Sequence, residues 1–356
     1  MTVRVFSTSD LAIVGGGAAA VVATGVLHYS GAPAVLAFVV AGAAVALLAS
    51  LVGRSVEQLG DRFGPGATGV LQSALGNLPE LFIGFFALRA GLIAVVQAAI
   101  IGSILSNILL VLGLAFVVGG LRHGTQRFDS DRARTSTVLM VLATGALVMP
   151  SLASYVHAPA EPHEGALSIV VSAVLLGVFL LSLPSALRRT PGPAAPAQPA
   201  EHGSRWPLWL AVTMLTVASV AAALVSDWFV SALEPAIDAL GVSQAFAGLV
   251  IVAIAGNAIE NVVGIQLAYR NQANFALSVI IQSPLQVALV LAPALVLLSL
   301  FTATTLTLVF APLLVMAVAI AVLATAFIVF DGESTWLEGV TLIALYAIIA
   351  TTFWWG

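Results

Sequence analysis

From Asn271 to Phe330 the chain runs for sixty residues without an ionisable acid or base. One crossing of a bilayer's hydrocarbon takes about 20 apolar residues in a helix. This stretch alone therefore holds two crossings, and no water-soluble core of ordinary size would absorb it. The rest of the sequence has the same character: 60% of its residues are hydrophobic and 8% charged, with a mean hydropathy of +1.11, against about 25% charged in ordinary soluble domains. In hydrocarbon every backbone N–H and C=O must be paired within the structure, and runs of this length point to helices. The expected class is an all-α, polytopic membrane protein. There is no cysteine, which excludes disulfides, thiolate metal sites and thiol catalysis.

Apolar runs and breakers divide the chain into about eleven helices, near 11–28, 34–56, 67–89, 94–118, 135–156, 165–187, 207–229, 243–268, 274–300, 305–329 and 336–355. The opening MTVRVFSTSD and the run Leu11–Leu27 lack an evident cleavage site, so the run is expected to remain as a first helix. All twelve basic residues are arginines. With the N-terminus in the cytoplasm, only Arg89 falls outside, which satisfies the rule that cytoplasmic loops carry the positive charge. The expected location is the cytoplasmic (inner) membrane, with the N-terminus cytoplasmic and the C-terminus external. The stretch RRTPGPAAPAQPAEHGSR at 188–205 is polar and rich in proline and alanine, and reads as a cytoplasmic linker.

The two sides of that linker look related. GNLPE at Gly76–Glu80 recurs as GNAIE at Gly256–Glu260, and GSILSN from Gly102 is met by QSPLQV from Gln282, both at an offset of 180 residues. This divides the chain into an N-terminal segment with the first helix (1–32), a five-helix repeat (33–187), the linker (188–206) and a second five-helix repeat (207–356). An odd number of helices per copy inserts the second upside down, the arrangement that builds a midplane site between two copies.

Fourteen of the sixteen acidic residues lie in loops or near helix ends, whereas Glu80 and Glu260 fall within the third and eighth helices. A charge at that depth costs several kcal/mol unless it is paired or solvated. Asn77 and Asn257 share a helix face with Glu80 and Glu260 at i,i+3 spacing. Gln72 and Ser73 extend the polar face of the third helix. Ser103, Ser106 and Asn107 form another face, and Gln282, Ser283 and Gln286 a further one. All these donors are oxygens, which suits hard cations rather than Zn²⁺ or Cu⁺. Pro79 and Pro284, with Gly76 and Gly256, could open the helices so that backbone carbonyls join the site.

Plainer readings compete with this one. A single Asn or Ser in a span commonly makes a helix–helix hydrogen bond, and Glu57, Glu234 and Asp238 read as solvated or capping residues. The five histidines fall at edges or in loops, and Trp336, Trp354 and Trp355 read as interface anchors. Glu80 and Glu260 stand apart because each is central and each sits in the same motif.

At these residues the chain resembles the proton-coupled calcium exchangers of the calcium/cation antiporter superfamily. The likeness covers 11–355 and is carried by the repeated GNxxE, GSILSNILLVLG from Gly102, GGLRHGTQRF from Gly119 and DGESTWLEG from Asp331. It implies a ten-helix inverted-repeat core behind a first helix. It also implies Glu80 and Glu260 as cation and proton ligands, assisted by Asn77, Asn257, Ser103, Ser106, Ser283 and Gln286, with Gly76, Gly256, Pro79, Gly102 and Gln282 as motif positions. The chain departs from the family pattern at Asn261, where a histidine is usual, and at Gln282–Gln286, where GSSxQ is usual. Its linker is basic rather than acidic.

The expected function is antiport of Ca²⁺, with Na⁺ or K⁺ as alternatives, against protons. Two carboxylates sharing a low-dielectric site repel when both are ionised, so they hold either a cation or protons. A sodium-coupled calcium exchanger, a monovalent cation/proton antiporter and a cation channel are the competing readings. An enzyme is not expected, since an intramembrane hydrolase needs a buried Ser–His pair, an aspartate pair or a His-rich metal site, and no histidine lies mid-span. No cofactor is expected beyond the transported Ca²⁺ and H⁺. The partners are inorganic cations, protons and the lipid bilayer, with no nucleic acid, and homo-oligomerisation is left open.

Overall fold

Helices dominate a computed structural model that describes residues 6–63, 75–188 and 206–355. In chain order they are α1 (Thr8–Ser30), α2 (Ala34–Phe63), α3 (Leu78–Arg89), α4 (Ile93–His123), α5 (Ser130–Tyr155), α6 (Glu164–Arg188), α7 (Leu208–Leu240), α8 (Gln244–Gly256), α9 (Ala258–Tyr269), α10 (Ala273–Ser299), α11 (Pro312–Val329) and α12 (Trp336–Thr352). Among the described residues eight helices are long and apolar enough to cross a membrane, and α8 with α9, bent by 64° where they join, makes a ninth. Gln72 and Ser73, and nearly all of the expected linker, lie outside the described residues.

The chain divides into two compact units, and neither coincides with a sequence half. One unit takes Met1–Phe86 and Val178–Ala239, the other Ala87–Gly177 and Leu240–Gly356. In the first, Leu51, Val52, Val56 and Leu59 of α2 pack with Leu210, Ala211 and Ala218 of α7 around Trp206, which is wholly buried. The Trp206 N–H donates to Gln58 Oε1 at 3.0 Å, and its indole N–H reaches Asp10 Oδ2 at 3.4 Å. Asp10 also closes the capping box of α1 with Ser7 and accepts from Arg54 Nε at 3.1 Å. The buried charge of Asp10 thus has a cation, a backbone N–H and an indole around it, as a charge in an apolar setting requires.

In the second unit the helices cross where glycines remove the side chain. A Cβ on Gly102 of α4 would stand 2.2 Å from the carbonyl oxygen of Leu249 in α8, and one on Gly248 would stand 2.4 Å from that of Val95. Gly113 of α4 and Gly339 of α12 meet in the same way. Small residues at crossings let helix backbones approach in a membrane, where lipid offers no hydrophobic drive to associate. The two loop motifs singled out in the sequence pair with each other. Strands β1 (Gln126–Arg127) and β2 (Glu333–Ser334) run antiparallel, with an Arg127–Glu333 ion pair at 3.0 Å.

A helix expected over 305–329 starts only at Pro312, and residues 305–311 are extended. Proline is favoured at a helix start and disfavours helical geometry in the residue before it. Leu306, Leu308 and Phe310 are buried, and side chains answer the backbone polar groups that a helix would have paired. Ser299 accepts from Leu306 N, Ser168 from Leu308 N and Ser151 from Phe310 N, while Gln97 donates to the carbonyls of Thr307 and Val309.

The same local events recur 180 residues apart. Gly91 and Asn271 both take positive φ, at 78° and 61°, just before α4 and α10. π-helical turns follow at Ser106–Val111 in α4 and Val287–Leu291 in α10. The Leu81 N–H bonds the Asn77 carbonyl at 2.9 Å, as the Asn261 N–H bonds that of Asn257 at 3.0 Å.

Candidate functional site

At both GNxxE motifs the chain turns and a new helix begins. Gly76 and Asn77 form a turn before α3, and Asn257, with φ −93° and ψ 17°, separates α8 from α9. Each glutamate therefore lies in the first turn of a new helix rather than in the middle of a continuous one. This corrects the placement expected from hydropathy, although the opening of the helices at Gly76 and Gly256 was anticipated. The physical effect is large for a carboxylate in a span. A helix start carries unpaired N–H groups and the positive end of the macrodipole, worth about 0.3–1 kcal/mol to a nearby anion and up to about 2 when partly buried. Pro79 sits at the second position of α3, where its missing N–H costs nothing. Glu80 is buried and Glu260 half-buried.

Asn257, wholly buried, is the hub of a polar network inside the second unit. Its Nδ2 donates to Ser103 Oγ at 3.0 Å and to the Ala253 carbonyl at 2.9 Å. Its Oδ1 accepts from Asn107 Nδ2 and from Ser283 Oγ, both at 3.0 Å. Three helix systems, α4, α8–α9 and α10, are thereby joined through one amide that uses all of its capacity. Asn107 also donates to the Ser103 carbonyl at 2.9 Å. With both of its N–H groups committed, the buried Oδ1 of Asn107 has no hydrogen-bond partner among the described residues, and the same is true of Asn261 Oδ1. A buried amide oxygen without a donor costs about 1–3 kcal/mol, and it is a ready ligand for a hard cation.

The π turns belong to this arrangement. A π turn displaces the helical register and releases carbonyls from the i,i+4 ladder. In α4 the turn begins at Ser106, and Thr325 of α11 donates to the Ile108 carbonyl at 3.2 Å. In α10 it follows Pro284, which has no N–H to give.

The structure sorts the sequence candidates. Ser103, Asn257 and Ser283 are brought together in the network, and Gln286 is buried one turn beyond Ser283. Ser106, although buried, turns its hydroxyl back to the Ser103 carbonyl at 3.3 Å and, among the described residues, bonds no other helix. Gln282 is exposed and stays out of the network. Gly102 acts at the crossing with α8, Gly256 ends α8, and Asn77 and Glu80 belong to the first unit. Asn107 stood in the sequence on the face of Ser103 and Ser106 but outside the ligand set. Its i,i+4 spacing from Ser103 was the signal that identified it. Among the described residues no three of His, Cys, Asp and Glu gather in one place.

Comparison with known proteins shows the family and the fold. The sodium/calcium exchanger protein family model matches twice, over residues 33–186 and 210–355. The chain is 34% identical over 345 residues to a "Ca(2+)/H(+) antiporter" of Synechocystis sp., with 92% of each chain covered. It is 36% identical over 325 residues to the "Ca(2+)/H(+) antiporter ChaA" of Bacillus subtilis, covering 90% of this chain and 92% of that protein. A crystal structure of the selenium-substituted Ca²⁺/H⁺ antiporter YfkE superposes with a TM-score of 0.81 at 33% identity, over 96% of this chain and 98% of that one. An all-α, polytopic membrane protein with helices that begin at two GNxxE motifs, matched along both halves, this chain belongs to the sodium/calcium exchanger protein family.

Proposed function

We propose that the protein is a secondary active antiporter that exchanges Ca²⁺ for protons across the cytoplasmic membrane, with its N-terminus in the cytoplasm and its C-terminus outside. The observation that carries this reading is the buried network of amides and hydroxyls at Asn257, built where α8 breaks and one turn before Glu260. Such a site offers neutral oxygens plus a carboxylate at a helix start, a donor set for a hard cation. The relatives' names supply the ion pair, Ca²⁺ and H⁺. In this cycle Glu80 and Glu260 alternate between the cation and protons, and Asn77, Asn257, Ser103, Ser283, Gln286 and Asn107 complete the cation's shell. Two matches to one family model and the recurrence of local geometry at 180 residues support the reading of two repeated halves. Their odd helix count supports the inverted orientation.

The test is flux in proteoliposomes under an imposed pH gradient, with Ca²⁺, Mn²⁺, Mg²⁺, Na⁺ and K⁺ offered in turn. Uptake of Ca²⁺ driven by the pH gradient is the expected result. Uptake driven by a Na⁺ gradient alone would instead assign sodium coupling, and uptake that runs down its own gradient without moving protons would assign a channel.

A further inference from the structure

The segment GGLRHGTQRF from Gly119, noted in the sequence as a motif, closes α4 and grips the end of α9. Gln126, buried, donates through Nε2 to the Ala268 carbonyl at 3.3 Å, and His123 Nε2 donates to the Tyr269 carbonyl at 2.9 Å. The Arg122 guanidinium donates to the Tyr269 hydroxyl and lies over its ring, 4.1 Å from the centroid. The same end of α4 also meets α12. A Cβ on Gly120 would stand 2.8 Å from the backbone nitrogen of Trp336, the first residue of that helix. Each neighbouring helix thus brings one aromatic residue to the end of α4, and both Tyr269 and Trp336 are exposed. Amphipathic aromatics of this kind sit at the level of lipid headgroups.

The positive charge here is uncompensated. Among the described residues Arg54 pairs with Asp10 and Glu57, and Arg127 with Glu333, whereas Arg122 and Arg270, both exposed, are in no ion pair. A guanidinium held over a ring with one N–H on a hydroxyl keeps its other donors for an anion, and it is already ordered, so little entropy is lost on binding. From these positions into the span the exposed residues turn apolar, with Val262 and Val263 on α9 and Leu337 and Val340 on α12. Cations, then aromatics, then aliphatic side chains follow the order of headgroup, interface and acyl chain in a phospholipid. We propose that Arg122 and Arg270, flanked by Tyr269 and Trp336, bind the phosphate of an anionic phospholipid whose acyl chains lie along the exposed faces of α9 and α12. Two uncompensated cations favour a headgroup of net negative charge over one whose phosphate carries its own ammonium. In the orientation proposed above, the site opens to the cytoplasmic leaflet, whose surface is negative. A phosphate shared by the two arginines ties the end of α4, the helix of Ser103 and Asn107, to the end of α9, whose first turn carries Glu260.

This site does not depend on which ion the protein exchanges, and neither does its test. The full chain in an uncharged detergent is titrated with phosphatidylglycerol, and its melting temperature is followed against lipid concentration. Phosphatidylglycerol is expected to raise the melting temperature, while phosphatidylcholine and water-soluble glycerol phosphate at the same concentrations leave it unchanged. Arg122→Gln and Arg270→Gln are each expected to need about tenfold more lipid for half the effect, the loss that goes with one charge-assisted hydrogen bond. Arg122→Lys keeps the charge but loses the planar fork, so it is expected to fall between wild type and Arg122→Gln. Arg127→Gln, whose arginine is already paired with Glu333, is expected to match the wild type. Each variant is read against its own melting temperature without lipid, and Arg270→Gln carries the test should Arg122→Gln not fold, since the exposed Arg270 side chain has no hydrogen bond or ion pair among the described residues. Unshifted midpoints in the glutamine variants would overturn the site, as would an equal response to phosphatidylcholine. An Arg122→Lys variant equal to wild type would reduce it to unspecific surface charge, and an equal response to glycerol phosphate would make it a site for soluble anions; either result contradicts the proposal.

Discussion

Asn257 uses its entire amide, two N–H donations and two acceptances, and each of its partners is buried. Removing it takes the acceptor from Asn107 Nδ2 and Ser283 Oγ inside a buried cluster. Asn257→Ala is expected to lower stability by about 1–3 kcal/mol, read as a reduced melting temperature in detergent, and to bring exchange to background. A variant that melts like the wild type and still transports would remove Asn257 from the site. Asn261 poses a different question, since a histidine there would titrate near pH 6.5 while an asparagine carries no proton. Asn261→His is expected to add a step near neutrality to the pH profile of exchange, with flux falling as the new imidazolium repels the cation; an unchanged profile would place residue 261 away from the ion. At this scale the sequence already distinguished Glu80, Glu260, Ser103, Asn257 and Ser283, because a polar residue inside an apolar run stands out. It did not separate Asn107 from Ser106, because both sit on the same face and only the atoms show which side chain turns outward to another helix and which bonds its own.

At the scale of elements, the departures from expectation share one cause, which is that hydropathy reads depth and not backbone path. It ran helices continuously through Gly76–Asn77 and Gly256–Asn257, where the chain turns, and it began a helix at 305 where the chain is extended to Ala311. Ser299, seven residues before Leu306, helps make that extended stretch tolerable, while Ser151, Ser168 and Gln97 come from distant parts of the sequence and carry no local sign of the role. The glycine crossings were partly readable, since Gly102 belonged to a repeated motif, while its contact with Leu249 was not. Gly102→Ala would force the α4 and α8 backbones apart and is expected to cost about 1–3 kcal/mol. Gly145→Ala, in α5 with nothing within 4 Å of the new Cβ, is expected to be neutral or to gain about 0.5–1 kcal/mol from the lost chain entropy of glycine. Equal melting temperatures for the two variants would contradict the role of the crossing.

For the whole molecule, the sequence announced its class through the sixty uncharged residues from Asn271, and its 180-residue offset points to two related halves. It did not announce that the compact units would each draw on both halves, because the repeat is a property of the chain and packing is a property of surfaces. The orientation is open to direct test. A single cysteine at Ala195 in the linker is expected to be labelled from the cytoplasmic side alone, and one at Gly356 from the outside alone; the reverse pattern would refute the orientation, and labelling of both from one side would refute the inverted assignment. The central claim is that Glu80 and Glu260 carry both the cation and the protons, and the measurement closest to it is Ca²⁺ uptake driven by a pH gradient in proteoliposomes, comparing the wild type with Glu80→Gln and Glu260→Gln at matched protein content. The wild type is expected to accumulate Ca²⁺ and to lose apparent affinity for it as protons compete, and each variant to fall to the level of empty vesicles while remaining folded. Near-normal uptake by either variant, or Ca²⁺ affinity in the wild type that does not change between about pH 5 and 9, a range wide enough to span shifted carboxylates, would contradict the account.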